Sequence, residues 1–293
     1  MRIDQVGEDE LVRLLRPHLL TKGIEVGAGE DDTAVIRDGD RYTVVSCDAA
    51  VEGVHFDLGW MSPEDAGWRA LALALGDLAA KGATPTYGVA MVALPGAWEV
   101  EAAVGLYRGM AELGRRIGMA LVGGDTSATT GPAVLALTVI GSARSLPLAR
   151  SAAQPGWSIG VTGPLGAAAV ALRERRALLL EPLLDTGRRL NEAGLCCGDV
   201  SDGLIREMEK FAAYSGVGCD IDLASVPVAE GATAEDALSG GEEAELVGLG
   251  PEKSLRQLGL HIVGRTVAEP AVRVLDVSGR PLQVRDHGYR HFA

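Results

Sequence analysis

Ser62-Pro63-Glu64-Asp65-Ala66-Gly67-Trp68-Arg69-Ala70-Leu71-Ala72-Leu73-Ala74-Leu75-Gly76-Asp77-Leu78-Ala79-Ala80-Lys81-Gly82 reads as one helix with both ends marked. Ser62 is a good N-cap, Pro63 stands at the first helical position, Glu64 and Asp65 suit the positive end, and Gly82 offers the stop. Stepping back from Asp77 by four, three and four residues reaches Leu73, Ala70 and Ala66, so a carboxylate falls on the apolar, core-facing stripe. Such a group needs a partner, either an arginine or backbone amides or a cation.

Working outward, a short amphipathic helix is expected over Glu8–Leu20. Strands are expected at Thr33–Ile36 and Tyr42–Ser46, separated by Arg37-Asp38-Gly39-Asp40, and Glu52–Trp60 reads as a loop. Beyond the central helix come a strand at Tyr87–Leu94, a helix from about Trp98 to Gly118, and strands at Ala120–Val122 and Ala133–Gly141. This alternation predicts an α/β first half. The loop-like Arg144–Gly156 marks a domain boundary, giving domains at 1–145 and 146–293. The second half restarts with a strand at Trp157–Thr162, an alanine-rich helix, a helix at Leu183–Glu192 and a helix ending near Gly216. A strand at Cys219–Leu223, a loop with a short helix in Gly231–Glu245, and strands at Ile262–Val267 and Val272–Val277 complete it.

The chain has 293 residues, 47% apolar and 23% charged, which is a globular composition with room for two cores. Its net charge of −13 argues against nucleic acid or an anionic membrane surface as partner. The four cysteines, Cys47, Cys196, Cys197 and Cys219, form no CxxC pair, so neither a zinc site nor a disulfide framework is indicated. Met1–Gln5 carries no apolar signal segment and no apolar run approaches a membrane span. A soluble protein of the reducing cytoplasm is expected.

Against that acidic background, carboxylates recur in glycine-rich or apolar company: Gly29-Glu30-Asp31-Asp32, Ser46-Cys47-Asp48, Gly76-Asp77, Gly123-Gly124-Asp125-Thr126 and Asp199-Val200-Ser201-Asp202-Gly203. Most fall where an expected element ends or a glycine turn begins. Each alone reads as a turn-forming residue. Together, with little basic company, they read as ligands for hard cations that in turn hold phosphates. No GxxxxGK[ST] loop, kinase HRD or DFG, GxSxG or HExxH pattern is present, and Gly27-Ala28-Gly29 lacks GxGxxG spacing.

These segments, in order, resemble the thiamine-monophosphate kinases of the aminoimidazole ribonucleotide synthetase superfamily. The family's GIGDDAAV is similar to Gly27–Val35, with one extra residue here. STDTLVEGVHF is similar to Ser46–Phe56, NLSDLAAMGA to Ala74–Ala83, and RSGAKPGD to Arg150–Trp157. GGDT is intact at Gly123–Thr126 and D[IV]SDGL at Asp199–Leu204, while GGEDYEL becomes Gly240–Leu246. The resemblance implies a two-domain α/β (α+β) fold, with an N-terminal mixed sheet whose helices accompany a homodimer interface and a C-terminal α/β domain.

It further implies ATP-dependent phosphorylation of thiamine monophosphate, with Mg²⁺ as cofactor. Asp31, Ser46, Asp48, Asp77, Asp125, Asp199 and Asp202 are the implied metal ligands. Cys47, where the family has Thr, can contribute through its carbonyl. Asp125 and Asp202 are the implied catalytic residues. Tyr107, Gly124, Asp125, Arg150 and Ser201 are expected at ATP, His55 at the acceptor's phosphate, and Glu243 and Tyr289 along the thiamine wall. Taken without the resemblance, His55 between Val54 and Phe56 reads more often as a packed core histidine than as a ligand, Arg150 about evenly as a phosphate contact or a solvated linker arginine, and Tyr289 more often as simple packing.

Departures from the family pattern are Ala74 and Gly76 for Asn and Ser, Glu243 and Ala244 for Asp and Tyr, and Leu180-Glu181-Pro182-Leu183-Leu184-Asp185 in place of an RPxPR-like stretch. The metal and ATP set is thus nearly complete while the second-domain substrate wall is altered, which keeps open an alternative, a divergent or non-catalytic relative that binds ATP–Mg²⁺ with another phosphorylated partner. Selenophosphate synthetase and hydrogenase-maturation relatives carry reactive cysteines near the N-terminus or at the C-terminus. Here the first cysteine is Cys47 and the chain ends in Phe292-Ala293.

Overall fold

The structure, a computed structural model, describes residues 2–19, 22–27 and 30–292. Ala28 and Gly29 of the first glycine motif lie outside them, as does Leu20 at the end of the first expected helix. That helix, α1 (Gly7–Leu15), is shorter than expected because Arg16–His18, with Pro17 in it, tightens into a 3₁₀ turn.

One mixed sheet takes its strands from residues 24–143: β1 (Ile24–Val26), β2 (Ala34–Asp38), β3 (Arg41–Val51), β4 (Thr84–Pro95), β5 (Ala120–Thr129) and β6 (Val134–Ala143). Their order is β1-β2-β3-β6-β4-β5. Only β4 and β5 run parallel. Both β3 and β5 are longer than the sequence suggested. Asp48 therefore lies inside β3 and Asp125 inside β5, and neither stands at an element's end. Glycine and aspartate are poor strand formers, which hid β5, but parallel pairing with β4 carries the strand through them.

The central helix forms as read: α2 (Pro63–Ala80), with the Ser62 hydroxyl accepting from the Asp65 amide 3.0 Å away and Gly82 at φ +60. It is buried on nearly every face. α3 (Val100–Ile117) crosses it so closely that a Cβ on Gly109 would stand 1.9 Å from the carbonyl oxygen of Glu64. Only glycine permits that approach. The core beneath them joins Leu71, Leu75 and Leu78 to Leu106, Met110 and Leu113 and to Leu135, Leu137 and Val139 of β6.

The second half adds β7 (Ser158–Val161), α4 (Ala167–Arg173), α5 (Leu184–Glu192), β8 (Cys196–Asp199), α6 (Leu204–Ser215), β9 (Gly218–Asp222), α7 (Ala234–Ser239), β10 (Leu246–Gly250), α8 (Glu252–Gln257), β11 (His261–Val267), β12 (Val272–Leu275) and β13 (Pro281–Leu282). Its sheet has the order β13-β12-β9-β11-β7-β10-β8. The sequence reading missed β8 and β10, two short, fully buried runs of glycine, cysteine and leucine without alternation. A third cluster, with Ala79, Ala80, Leu190, Leu195, Cys197 and Leu246, packs the end of α2 against this sheet. The carboxylates on α2 and β8 are thereby brought face to face.

Candidate active site

Asp32, Asp77 and Asp199 each place a carboxylate oxygen within 4.8 Å of the others. Asp77 projects from the last turns of α2, Asp199 ends β8, and Asp32 stands just before β2. Burial, then the charges of Asp199, Asp48 and Asp32, push the Asp77 carboxyl well above the usual range, although the Ser46 hydroxyl donates to it. Burial and Asp32 push Asp199 up to about 6. Burial and the charges of Asp199, Asp32 and Asp202 push Asp48 up to about 7. Asp199 is only 6% exposed, and its Oδ1 has no hydrogen-bond partner among the described residues.

The implied ligands are thus only partly assembled. Ser46, Asp48, Asp77, Asp199 and Asp202 converge. Asp31 does not join them: its oxygens take Lys81 Nζ at 2.6 Å, the Arg150 guanidinium at 2.6 Å and the Arg150 amide at 3.1 Å. Its neighbour Asp32 turns inward instead. Burial opposes the charge on Asp32, but Arg150, Lys210 and Lys81 outweigh it and hold that carboxyl well below the ordinary range. On β3 the side chains of Ser46 and Cys47 alternate between buried and exposed, so the Cys47 thiol faces away from Ser46 and Asp48. Only its backbone remains available to the cluster.

Arg150, read from sequence as a nucleotide contact, is fully buried. Its Nε donates to Glu207 at 2.6 Å, its other nitrogens meet Asp31 and Asp32, and its face lies over Phe211. Burial lowers its affinity for the proton, yet Asp32, Glu207 and Asp31 raise it further, so it stays charged. Burial pushes Glu207 up to about 7 against the pull of Arg150. A Cβ on Gly198 would meet Glu207 Oε1 at 1.9 Å, so glycine at that point lets the pair pack on β8. Lys210 of α6 reaches Asp202 at 3.0 Å.

Tyr107, Gly124 and Asp125 form a separate group at the sheet's outer edge. The Tyr107 hydroxyl donates to the Ala90 carbonyl at 3.3 Å, and Gly124 pairs with Ala90. Asp48, Leu137, Ala90 and Gly124 lie in register on β3, β6, β4 and β5. Asp125 is therefore three strand spacings, about 14 Å, across the sheet from the position of Asp48. It is exposed, with the Ser127 hydroxyl 3.4 Å away. Ser201 lies between Asp199 and Asp202, and its carbonyl accepts from the Glu242 amide at 2.5 Å.

Beyond the end of β3, the Val51 amide donates to His55 Nδ1 at 3.1 Å, which leaves Nε2 as the free, proton-bearing nitrogen of the neutral ring. Burial lowers the His55 pKa, opposed by Glu242 and reinforced by His291. Glu243 is buried. Its Oε1 accepts from the Gly166 and Ala168 amides at 2.8 and 3.0 Å and closes the start of α4. Glu242 beside it pairs with Arg69, whose Nε donates to the His55 carbonyl at 3.0 Å. Tyr289 is half exposed, its amide donating to the Asp202 carbonyl at 3.0 Å.

Sequence reasoning named Asp32 only within its acidic stretch and missed Lys81, Glu207, Lys210, Arg69, Glu242 and His291. The extra residue in the first acidic motif was a signal that the carboxylate facing the cluster stands one position later. A single lysine closing an apolar helix was another.

Residues 30–143 match the family described as AIR synthase related protein, N-terminal domain. The chain is 34% identical over 292 residues to the thiamine-monophosphate kinase of Methanopyrus kandleri, covering 92% of each. It is 32% identical to that of Bacillus subtilis, over 82% of each. A solved structure described as AaThiL complexed with AMPPCP and TMP superposes with a TM-score of 0.87 and 26% identity, covering 99% of both chains. Agreement of this extent places the chain in the thiamine-monophosphate kinase family.

Proposed function

We propose that this protein transfers the γ-phosphoryl group of ATP to the phosphate of thiamine monophosphate, giving thiamine diphosphate and ADP. The observation that carries the reading is the inward-facing set of Asp32, Asp77 and Asp199, backed by Asp48, with the buried Asp199 Oδ1 lacking any partner. A small hard cation fits this set. Octahedral Mg²⁺, with bonds of about 2.0–2.1 Å, holds neighbouring oxygens roughly 3–4 Å apart. Asp32, Asp48, Asp77 and Asp199 would hold such ions, with Ser46 and Asp202 at the margin. When bound, Mg²⁺ neutralises the two approaching phosphates and aligns their oxygens.

The chain's own contribution is orientation. Arg150 and Lys81 lock Asp31, which aims Asp32 inward, and Lys210 steadies Asp202. His55, with Nδ1 committed to the backbone, offers its Nε2–H to the acceptor's phosphate. Asp202 and Asp125 are the proposed catalytic residues, and Tyr107, Gly124 and Ser201 the proposed nucleotide contacts. The division of labour we propose runs 1–145 for nucleotide and cations and 146–293 for the acceptor, with Asp199 and Asp202 crossing it.

A homodimer is part of the proposal. The outer strand β5 carries Asp125 beside the exposed Val122, and Tyr87 and Met91 are exposed on its neighbour β4. A second copy laid on that edge would shelter this apolar surface. No helix among the described residues is long and apolar enough to cross a membrane, and the free, buried thiols of Cys196, Cys197 and Cys219 suit a reducing cytoplasm.

ADP release with ATP, Mg²⁺ and thiamine monophosphate tests the activity, with Asp199→Asn as control. Tight ATP–Mg²⁺ binding without turnover would turn the reading to a binding protein. A chiral γ-phosphoryl group tests direct transfer: inversion supports it, and retention shows a covalent enzyme intermediate.

A further inference from the structure

The C-terminal tail brings a second imidazole to the acceptor side. The ring centroids of His55 and His291 lie 5.8 Å apart, inclined by 37°. His55 Nδ1 is taken by the Val51 amide, and His291 Nδ1 faces the Tyr289 hydroxyl at 3.5 Å. Each ring thus keeps its Nε2 free of any hydrogen-bond partner among the described residues. Each is also tied to one bank of the acidic cluster. His55 follows Asp48 by seven residues, in the turn just beyond β3, and the tail is pinned where the Tyr289 amide donates to the Asp202 carbonyl at 3.0 Å.

The nearby cations are spent elsewhere: Arg69 on Glu242, and Arg290 on Glu209. The His291 amide is held by Glu8 at 3.2 Å, which fixes the tail against α1. Two adjacent imidazoles with unpaired Nε2 edges disfavour each other's protonation, and an anion placed between them reverses that penalty.

We propose that His291 is a specificity-determining residue that, with His55, seats the phosphate of the acceptor. The inference rests on the acceptor reading above. It adds that discrimination between phosphorylated and unphosphorylated thiamine depends on the tail.

His291→Phe keeps a ring and removes the donor, whereas His291→Gln places an amide nitrogen close to the Nε2 position. Steady-state kinetics with thiamine monophosphate should show KM raised about tenfold in the Phe variant, with kcat and the KM for ATP little changed. The Gln variant should recover most of the loss. Inhibition by unphosphorylated thiamine should be the same in all three proteins. A Phe variant with the parent KM overturns the proposal, as does one that weakens thiamine and its monophosphate equally, since that marks ring packing alone. Should the Phe variant not fold, His291→Asn, whose amide mimics Nδ1, replaces it and should fail where Gln succeeds; equal behaviour of the two overturns the proposal. Absence of turnover in the parent protein would instead sink the acceptor reading itself.

Discussion

Asp31 and Lys81 form an ion pair in which Nζ stands 2.6 Å from Oδ2 and neither side chain is more than 1% exposed. Lys81 also donates to the Cys197 carbonyl at 2.8 Å, so this one contact ties the loop before β2, the end of α2 and strand β8 together. The tie lets adjacent aspartates do different work.

Asp31→Asn and Asp32→Asn should therefore separate stability from cation binding. Asp31→Asn leaves a buried ammonium with a weakened counter-charge and should cost about 3 kcal/mol or more in chemical denaturation. Asp32→Asn, at a third-exposed side chain, should cost less stability than Asp31→Asn and raise the Mg²⁺ needed for half-maximal activity about tenfold. The opposite pattern would restore Asp31 as the ligand.

Metal-free protein should be less stable at neutral than at mildly acidic pH. Asp48 and Asp199, pushed up to about 7 and about 6 from an ordinary 3.8, bind protons more tightly folded than unfolded. Their contribution to stability is then fully present below about pH 4 and is lost as pH rises through 6 and 7. In EDTA the melting temperature should fall between about pH 5.5 and about pH 7.5, and Asp48→Asn should flatten that slope. Added Mg²⁺ should stabilise more at the higher pH, because binding must displace those protons.

Asp199→Asn should trade activity for stability. It removes one of several repelling carboxylates while keeping the side chain's shape. In EDTA near pH 8 it should melt higher, by on the order of 1 kcal/mol, while turnover falls by roughly two orders of magnitude or more. A variant that lost stability in EDTA would show that the acid cluster is not under electrostatic strain.

Gly109→Ala should destabilise, reversing the usual preference for alanine in helices. A Cβ there would lie 1.9 Å from the Glu64 carbonyl oxygen, so α2 and α3 would have to separate. A loss of about 1–3 kcal/mol is expected from the denaturation midpoint, where an exposed helical glycine would gain about 1 kcal/mol.

Much of the first half was legible because its signals are local. Ser62, Pro63 and Gly82 bound α2 with no help from the rest of the chain, and the apolar stripe placed Asp77 inward. Strands β8 and β10 were not legible, since short buried runs lack the alternation that marks a half-exposed strand. Among site residues, the shared surroundings of Asp48, Asp77, Asp199 and Asp202 followed from their motifs. The roles of Asp31, Arg150 and Glu243 did not. Each is a charged side chain whose partner lies far away in sequence: Lys81 for Asp31, Glu207 for Arg150, and the start of α4 for Glu243.

By itself the sequence determined the alternation of helices and strands in the first half, the family, and an acidic set that calls for cations. Those rest on periodicity, capping and motif order, which are properties of neighbouring residues. Only the tertiary structure decided which carboxylate of an adjacent pair faces the cluster, which arginine is already spent, and which histidine of the tail meets His55. Those choices depend on distances between segments up to 236 positions apart, His55 to His291, and on burial, which turns a charge into either a ligand or half of an ion pair.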